Sequence, residues 1–117
     1  MITLKETKQQ IASDPQHWVI HLMDFVDDFR YYQSADALAE PFTLDHERFD
    51  ALLASTAMRL CDEVGVECPD WILEVPACKD PWFVSGMESL KAIAIVESPV
   101  HFRLRKIFVL ENFLSRA

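Results

Sequence analysis

The stretch DHERFDALLASTAMRLCDEVG, residues 45–65, carries Phe49, Leu52, Leu53, Thr56, Leu60 and Val64 at spacings of three and four residues. Because 3.6 residues complete a helical turn, that spacing gathers them on one side of an α-helix. Gly65 follows the last of them, where a helix end calls for a left-handed backbone that glycine adopts without strain. A helix is therefore expected from about Asp45 to Val64, with one inward face.

Toward the N-terminus, Trp18, Leu22, Phe25 and Phe29 recur at i, i+4, i+7 and i+11, and Val19 and Val26 widen the stripe. Ser13-Asp14-Pro15 supplies a capping side chain and a proline whose missing N–H costs nothing in the first turn, so a second amphipathic helix should end near Tyr32. Thr3 to Ala12 can form a short helix carrying Leu4 and Ile11, and Ser34 to Glu40 a turn stopped by Pro41. Beyond Gly65 the texture changes. Pro69, Pro76 and Pro81 punctuate a segment holding Trp71, Ile72, Leu73, Trp82 and Phe83, which reads as an ordered loop or short helical turns pressed onto the core. A further helix is expected from Ser85, with Glu88 at capping-box spacing, through Leu90, Ile93, Ala94 and Val96; Ser98-Pro99 then restarts the chain with another cap.

Only two glycines occur in 117 residues, and no long apolar–polar alternation appears outside Phe102 to Arg105. The expected fold is all-α: a compact bundle of about five helices with a proline- and aromatic-rich connecting segment, forming a single domain over residues 1–117.

The net charge of −8 speaks against direct contact with nucleic acid, whose phosphates demand Lys and Arg. No run of about 20 apolar residues exists to span a membrane. The first residues, MITLKETKQQ, lack the apolar core of a secretion signal. Cys61, Cys68 and Cys78 follow no disulfide or zinc spacing and suit reduced thiols in a cytoplasmic protein. No glycine-rich phosphate loop calls for a cofactor.

The charge is unevenly spread. Residues 98–117 hold four basic side chains and one acid, whereas residues 1–97 hold seven basic and eighteen acidic ones. The basic strip of His101, Arg103, Arg105 and Lys106 is threaded between Phe102, Leu104, Ile107 and Phe108. If Ser98-Pro99 starts a helix, Val100, Leu104 and Ile107 face inward; if the segment is extended, His101, Arg103 and Arg105 share a face. At least one arginine is expected to pair internally, with Asp24, Asp27 or Asp28 as candidate partners. Arg103 is expected to fold back in this way, and Arg105 and Lys106 to point outward. Trp82 and Phe83, behind Pro81, are candidate contacts for the same partner.

One other constellation could carry chemistry. His17, His21, Asp24 and Asp28 fall on one helical face, where two histidines and a carboxylate could ligate a metal. HxxxH without the glutamate of HExxH is weak, and a solvated helix face explains these residues more simply.

The segments ALLASTAMRLCDEVGVECPDW, DPWFVSGMESLKAIAIVESPVHFRLRKIFV and the terminal LSRA resemble a family of small bacterial proteins of unknown biochemical function. Its members stand alone or follow an Xre-type helix-turn-helix domain, beside toxin–antitoxin-like genes that often include a nucleotidyltransferase-like partner. The similarity runs from roughly Asp14 to Ala117. It is strongest at Trp71, Pro81-Trp82-Phe83, Ser98-Pro99, Phe102-Arg103, Arg105, Ile107-Phe108 and Arg116-Ala117. The resemblance implies an antitoxin-like or regulatory accessory protein, not an enzyme, that binds another protein, with a second copy of the chain as a further candidate partner. The rival readings are a small-molecule-binding or metal-dependent enzyme using His17, His21 and Asp24, and a transcriptional regulator acting through a separate DNA-binding subunit.

Overall fold

The computed structural model describes residues 1–115; Arg116 and Ala117, which contribute to the resemblance, lie outside the described residues. The described chain is mostly helical, with one small sheet. Helix α1 spans Leu4–Ser13 and opens with a capping box: Thr3 Oγ1 accepts from the Glu6 N–H at 3.1 Å, and Glu6 Oε2 accepts from the Thr3 N–H at 3.3 Å. After Asp14, residues Pro15–His17 form a 3-10 turn that leads into α2, Trp18–Tyr32. A second 3-10 turn, Ala35–Leu38, follows.

Helix α3, Glu47–Val64, is the centre of the molecule and packs against α1, α2 and the elements that follow it. Its N-terminus is capped reciprocally. His46 Nδ1 accepts from the Phe49 N–H (3.2 Å), and Asp50 accepts from the His46 N–H (3.0 Å). Its other end closes on Gly65 at φ +77°, with the N–H groups of Gly65 and Val66 both donating to the Cys61 carbonyl. That double bond is the helix-ending turn expected of a glycine in the left-handed region. Residues 51–57 are all buried, so α3 is sheathed along most of its length. Leu4, Ile11, Leu22, Phe25, Phe29, Leu52, Leu53 and Leu60 form the core around it.

The second half departs from the expected pattern. Helix α4 is the single turn Asp70–Leu73. Strand β1, Trp82–Phe83, pairs in parallel with β2, Ile107–Phe108, in the register Trp82 to Ile107 and Phe83 to Phe108. The fold is therefore not strictly all-α. Two-residue strands are too short to leave a period in the sequence, and they form because the chain between them supplies the long crossover that parallel pairing needs. That crossover holds a 3-10 turn, Glu88–Leu90, then α5, Lys91–Glu97, and α6, Val100–Arg103.

The helix expected at Ser85 thus begins later; Ser85 Oγ instead accepts from the Met87 N–H within a turn that places Gly86 at φ +69°. Ser98 does not cap the start of α6; it is the C-cap of α5, its N–H donating to the Ala94 carbonyl at 3.0 Å. It is 2% exposed, and its hydroxyl accepts from the Val109 N–H at 2.8 Å while lying within donor reach of the Ala94 and Val109 carbonyls. Val100 and Leu104, expected inside, are exposed, whereas Phe102 is fully buried.

The end of the described chain is held by α2. Arg30 grips Glu63 through Nε (2.7 Å) and Nη2 (2.9 Å), and its Nη1 donates to the Leu114 carbonyl (2.7 Å). One internal tie of the C-terminal region therefore runs from an arginine of α2 to a backbone carbonyl.

Two outcomes follow from this geometry. A Cβ at Gly65 meets nothing within 4 Å, so Gly65→Ala should cost only the left-handed backbone penalty, about 1 kcal/mol in urea denaturation. The Arg30 guanidinium holds the Glu63 carboxyl below its ordinary value of 4.5, first through the hydrogen bond and against the opposing effect of burial. A depressed carboxylate contributes stability above its unfolded value and loses it as pH falls through the lower folded one. Because both side chains are about a third exposed, the pair should contribute no more than about 1 kcal/mol. The stability difference between wild type and Glu63→Gln should be present near neutrality and disappear as pH falls through the lowered Glu63 value.

Candidate functional site

Arg105 decides how the basic strip is disposed. It is 5% exposed and turned inward, with Nε donating to the Val75 carbonyl (3.0 Å) and Nη2 to the Ile72 carbonyl (2.7 Å). Nη1 lies 2.8 Å from Met58 Sδ. Burial pulls this guanidinium below its ordinary pKa, with the nearby Cys68 acting in the opposite direction. The outward role expected for Arg105 does not fit this position. Arg103, expected to fold back, is instead exposed, and so is Lys106, whose ammonium reaches the Lys79 carbonyl at 3.2 Å.

The reason lies in the turn between α6 and β2. Helical turns continue from α6 through Leu104, with the Arg105 N–H donating to Phe102 and the Lys106 N–H to Arg103, so Arg103 and Arg105, two residues apart, fall on roughly opposite sides; Lys106 at φ +61° then turns the chain into β2. A helix does begin directly after Ser98-Pro99 and Ile107 is buried, but the helix lasts one turn and leaves Val100 and Leu104 outside.

The strand pair sorts the two aromatics. Trp82 is half-buried and turned to the body of the fold, 6.2 Å from both Trp18 and Phe49, with the Arg48 guanidinium 5.4 Å from its ring. Phe83 stacks on Phe108 at 5.0 Å and 20°, with Lys91 Nζ 5.3 Å from the Phe83 ring. Successive strand residues point to opposite faces, so Trp82 serves packing while Phe83 borders α5.

Beside them lies a feature that helical periodicity did not disclose. Helix α5 reads KAIAIVE, yet Ala94 is its only buried residue. Ile93, Ile95 and Val96 are exposed, Val96 at 80%, and so are Val100 and Leu104. Six of the thirteen exposed large hydrophobic side chains fall between Met87 and Leu104. Single exposed apolar residues are ordinary on a protein surface; a cluster on one peripheral segment is not.

His17, at the end of the 3-10 turn, and His21, on α2, share one carboxylate. His17 Nδ1 and His21 Nε2 both reach the Asp14 carboxylate at 3.0 Å. They hold that carboxyl below its usual range, His17 first. Asp28 accepts from the Ile2 N–H at 2.7 Å, and Asp24 is exposed. Among the described residues, no group of three or more His, Cys, Asp or Glu side chains is placed to hold a metal ion.

A second imidazole–carboxylate contact escaped the sequence reading. His101 donates from Nε2 to Asp62 on α3 and buries its Nδ1 without a partner among the described residues. A cavity of about 290 Å³ lies between α1 and the start of α3, lined by Lys8, Ile11, Pro15, Asp45, His46 and Phe49. Its cation is already engaged, since Lys8 Nζ sits 2.7 Å from Asp45 and 2.6 Å from Asp50.

Comparison with protein families, with curated proteins and with solved structures finds no match to this chain. No helix among the described residues is long and apolar enough to cross a membrane.

The contrast between the two arginines gives a direct test. Arg105→Ala leaves the Ile72 and Val75 carbonyls without their buried donor and should cost about 3 kcal/mol in chemical denaturation. Arg103→Ala removes an exposed charge and should stay within about 0.5 kcal/mol of wild type.

Proposed function

We propose that this protein is a non-enzymatic binding module whose partner is another protein, seated on the apolar surface of α5 and α6. The observation that carries this reading is the exposure of Ile93, Val96, Val100 and Leu104 along α5 and α6, of which α5 buries only Ala94. Stable protein interfaces cover roughly 800 Å² on each partner and set apolar anchors inside a polar rim. Arg103 and Lys106 supply the basic rim here, and Phe83, with Lys91 against its ring, borders the same surface. The complementary partner presents an apolar strip flanked by carboxylates.

Together with the resemblance to proteins beside toxin–antitoxin-like genes, this supports an antitoxin-like or regulatory accessory role. Arg105 and Trp82 then act as supports of the surface and Arg103, Lys106 and Phe83 as its contacts.

The test is affinity capture of the tagged chain from its native host, with identification of what is retained in stoichiometric amount. Val96→Glu and Leu104→Glu change exposed positions and should leave stability within about 0.5 kcal/mol of wild type while releasing the captured protein. Arg103→Glu should weaken retention and reduce its sensitivity to salt. A partner that stays bound through all three changes, or a wild-type chain that retains nothing, would overturn the reading.

A further inference from the structure

The cavity of about 290 Å³ between α1 and the start of α3 has two unlike sides. Ile11, Pro15 and Phe49 form an apolar wall, and Lys8, Asp45 and His46 a polar one. The Phe49 ring is supported by its neighbours, 5.7 Å from Trp18 and 6.2 Å from Trp82, and the His46 ring packs 4.6 Å from it at 35°. His46 is itself fixed, since its Nδ1 accepts the Phe49 N–H. An imidazole that accepts at Nδ1 carries a single proton, so it adds no charge to the wall.

The polar side has carboxylate in excess. The Lys8 ammonium meets two carboxylates, Asp45 at 2.7 Å and Asp50 at 2.6 Å, and also donates to the Thr43 carbonyl. Its three N–H groups are thereby taken, and none is left for an anionic ligand. Asp50 is buried and accepts the His46 N–H as well, whereas the Asp45 side chain is 65% exposed. The negative charge that Lys8 does not neutralise is therefore accessible at Asp45. Asp45 also lines the two depressions on either side of the cavity.

We propose that this cavity binds a small organic cation in which a flat aromatic ring carries an amidine or a primary amine. The ring covers Ile11, Pro15 and Phe49, and the charged N–H groups donate to Asp45. Small-molecule pockets run from roughly 300 Å³ upward, so the space suits one ring with a short substituent. An acid is repelled by Asp45 and finds Lys8 occupied. A cation without a ring leaves the apolar wall in water and forgoes the attraction of the Phe49 face. The site shares no residue with the α5–α6 surface, so the two readings stand or fall separately.

The ¹⁵N-labelled full chain is titrated with benzamidine and, in parallel, with benzamide and benzoate, which keep the ring while removing or reversing the charge. Benzamidine should bind saturably with a Kd below about 1 mM, shifting amides within residues 8–15 and 45–50. Benzamide should bind at least about tenfold more weakly, and benzoate not at all. Asp45→Asn keeps the shape of the side chain and should remove the preference for benzamidine over benzamide. Ala12→Phe fills the cavity from α1 with every carboxylate in place, and should abolish binding even where Asp45→Asn fails to fold. The proposal is overturned if benzamidine gives no saturable shift, shifts amides elsewhere, or binds no better than benzamide. Undiminished benzamidine affinity in folded Asp45→Asn or Ala12→Phe overturns it equally.

Discussion

A guanidinium removed from water must find acceptors for its N–H groups, and the second half of this fold is arranged around that requirement at Arg105. Its acceptors are the carbonyls of Ile72 and Val75, at and just beyond the end of α4. A helical end has carbonyls without intrahelical donors, and a one-turn helix has little else. The buried cation therefore completes α4, and α4 makes the buried cation tolerable. Met58 brings α3 into the same contact. The main chain of Arg105 continues the tie, because its carbonyl accepts the Cys78 N–H at 3.1 Å. From there the chain runs directly to Trp82, whose N–H donates to Lys106 at 2.8 Å, and the two strands are in register.

That anchoring also explains why α5 faces outward. The strand pair fixes both ends of the crossover, and a seven-residue helix has too few turns to stand alone. It is held chiefly at its ends. Ser98 engages Val109, Glu97 accepts the Glu111 N–H at 3.1 Å, and Ala94 provides the inward contact. An alanine at the contact lets the helix lie close to the body, and its larger side chains are left on the outer surface. The apolar face is thus a consequence of how the crossover is pinned and has no covering element among the described residues.

The long helices were legible because their signals are local. The Phe49-to-Val64 stripe, the Gly65 stop and the Pro15 start each act within one or two turns, and α1 to α3 lie close to the expected positions. The basic strip was legible as a concentration of charge but not in its orientation. Arg103 and Arg105 exchanged roles because the short helical stretch after Pro99 turns Phe102 and Arg105, three residues apart, to the core and leaves Arg103 outside, and Lys106 at φ +61° then ends it. Nothing in the neighbouring residues announces that angle. Asp14 was read as a helix cap, and its pairing with His17 and His21 required the 3-10 turn that brings all three together.

The charge distribution takes on a different meaning once Arg105 is counted as interior. Of the cations in the C-terminal strip, Arg103 and Lys106 remain at the described surface, against a chain of net charge −8. Two surface cations cannot steer an acidic partner from a distance, because screening confines them to about 8 Å at physiological salt and the rest of the chain repels. Their influence begins at contact, where they set orientation and exclude partners with cations in the same place. The association energy must then come chiefly from covering Ile93, Val96, Val100 and Leu104, at about 25 cal/mol for each Å² of apolar surface removed from water. The proposed recognition on this face would be apolar in strength and electrostatic in selectivity.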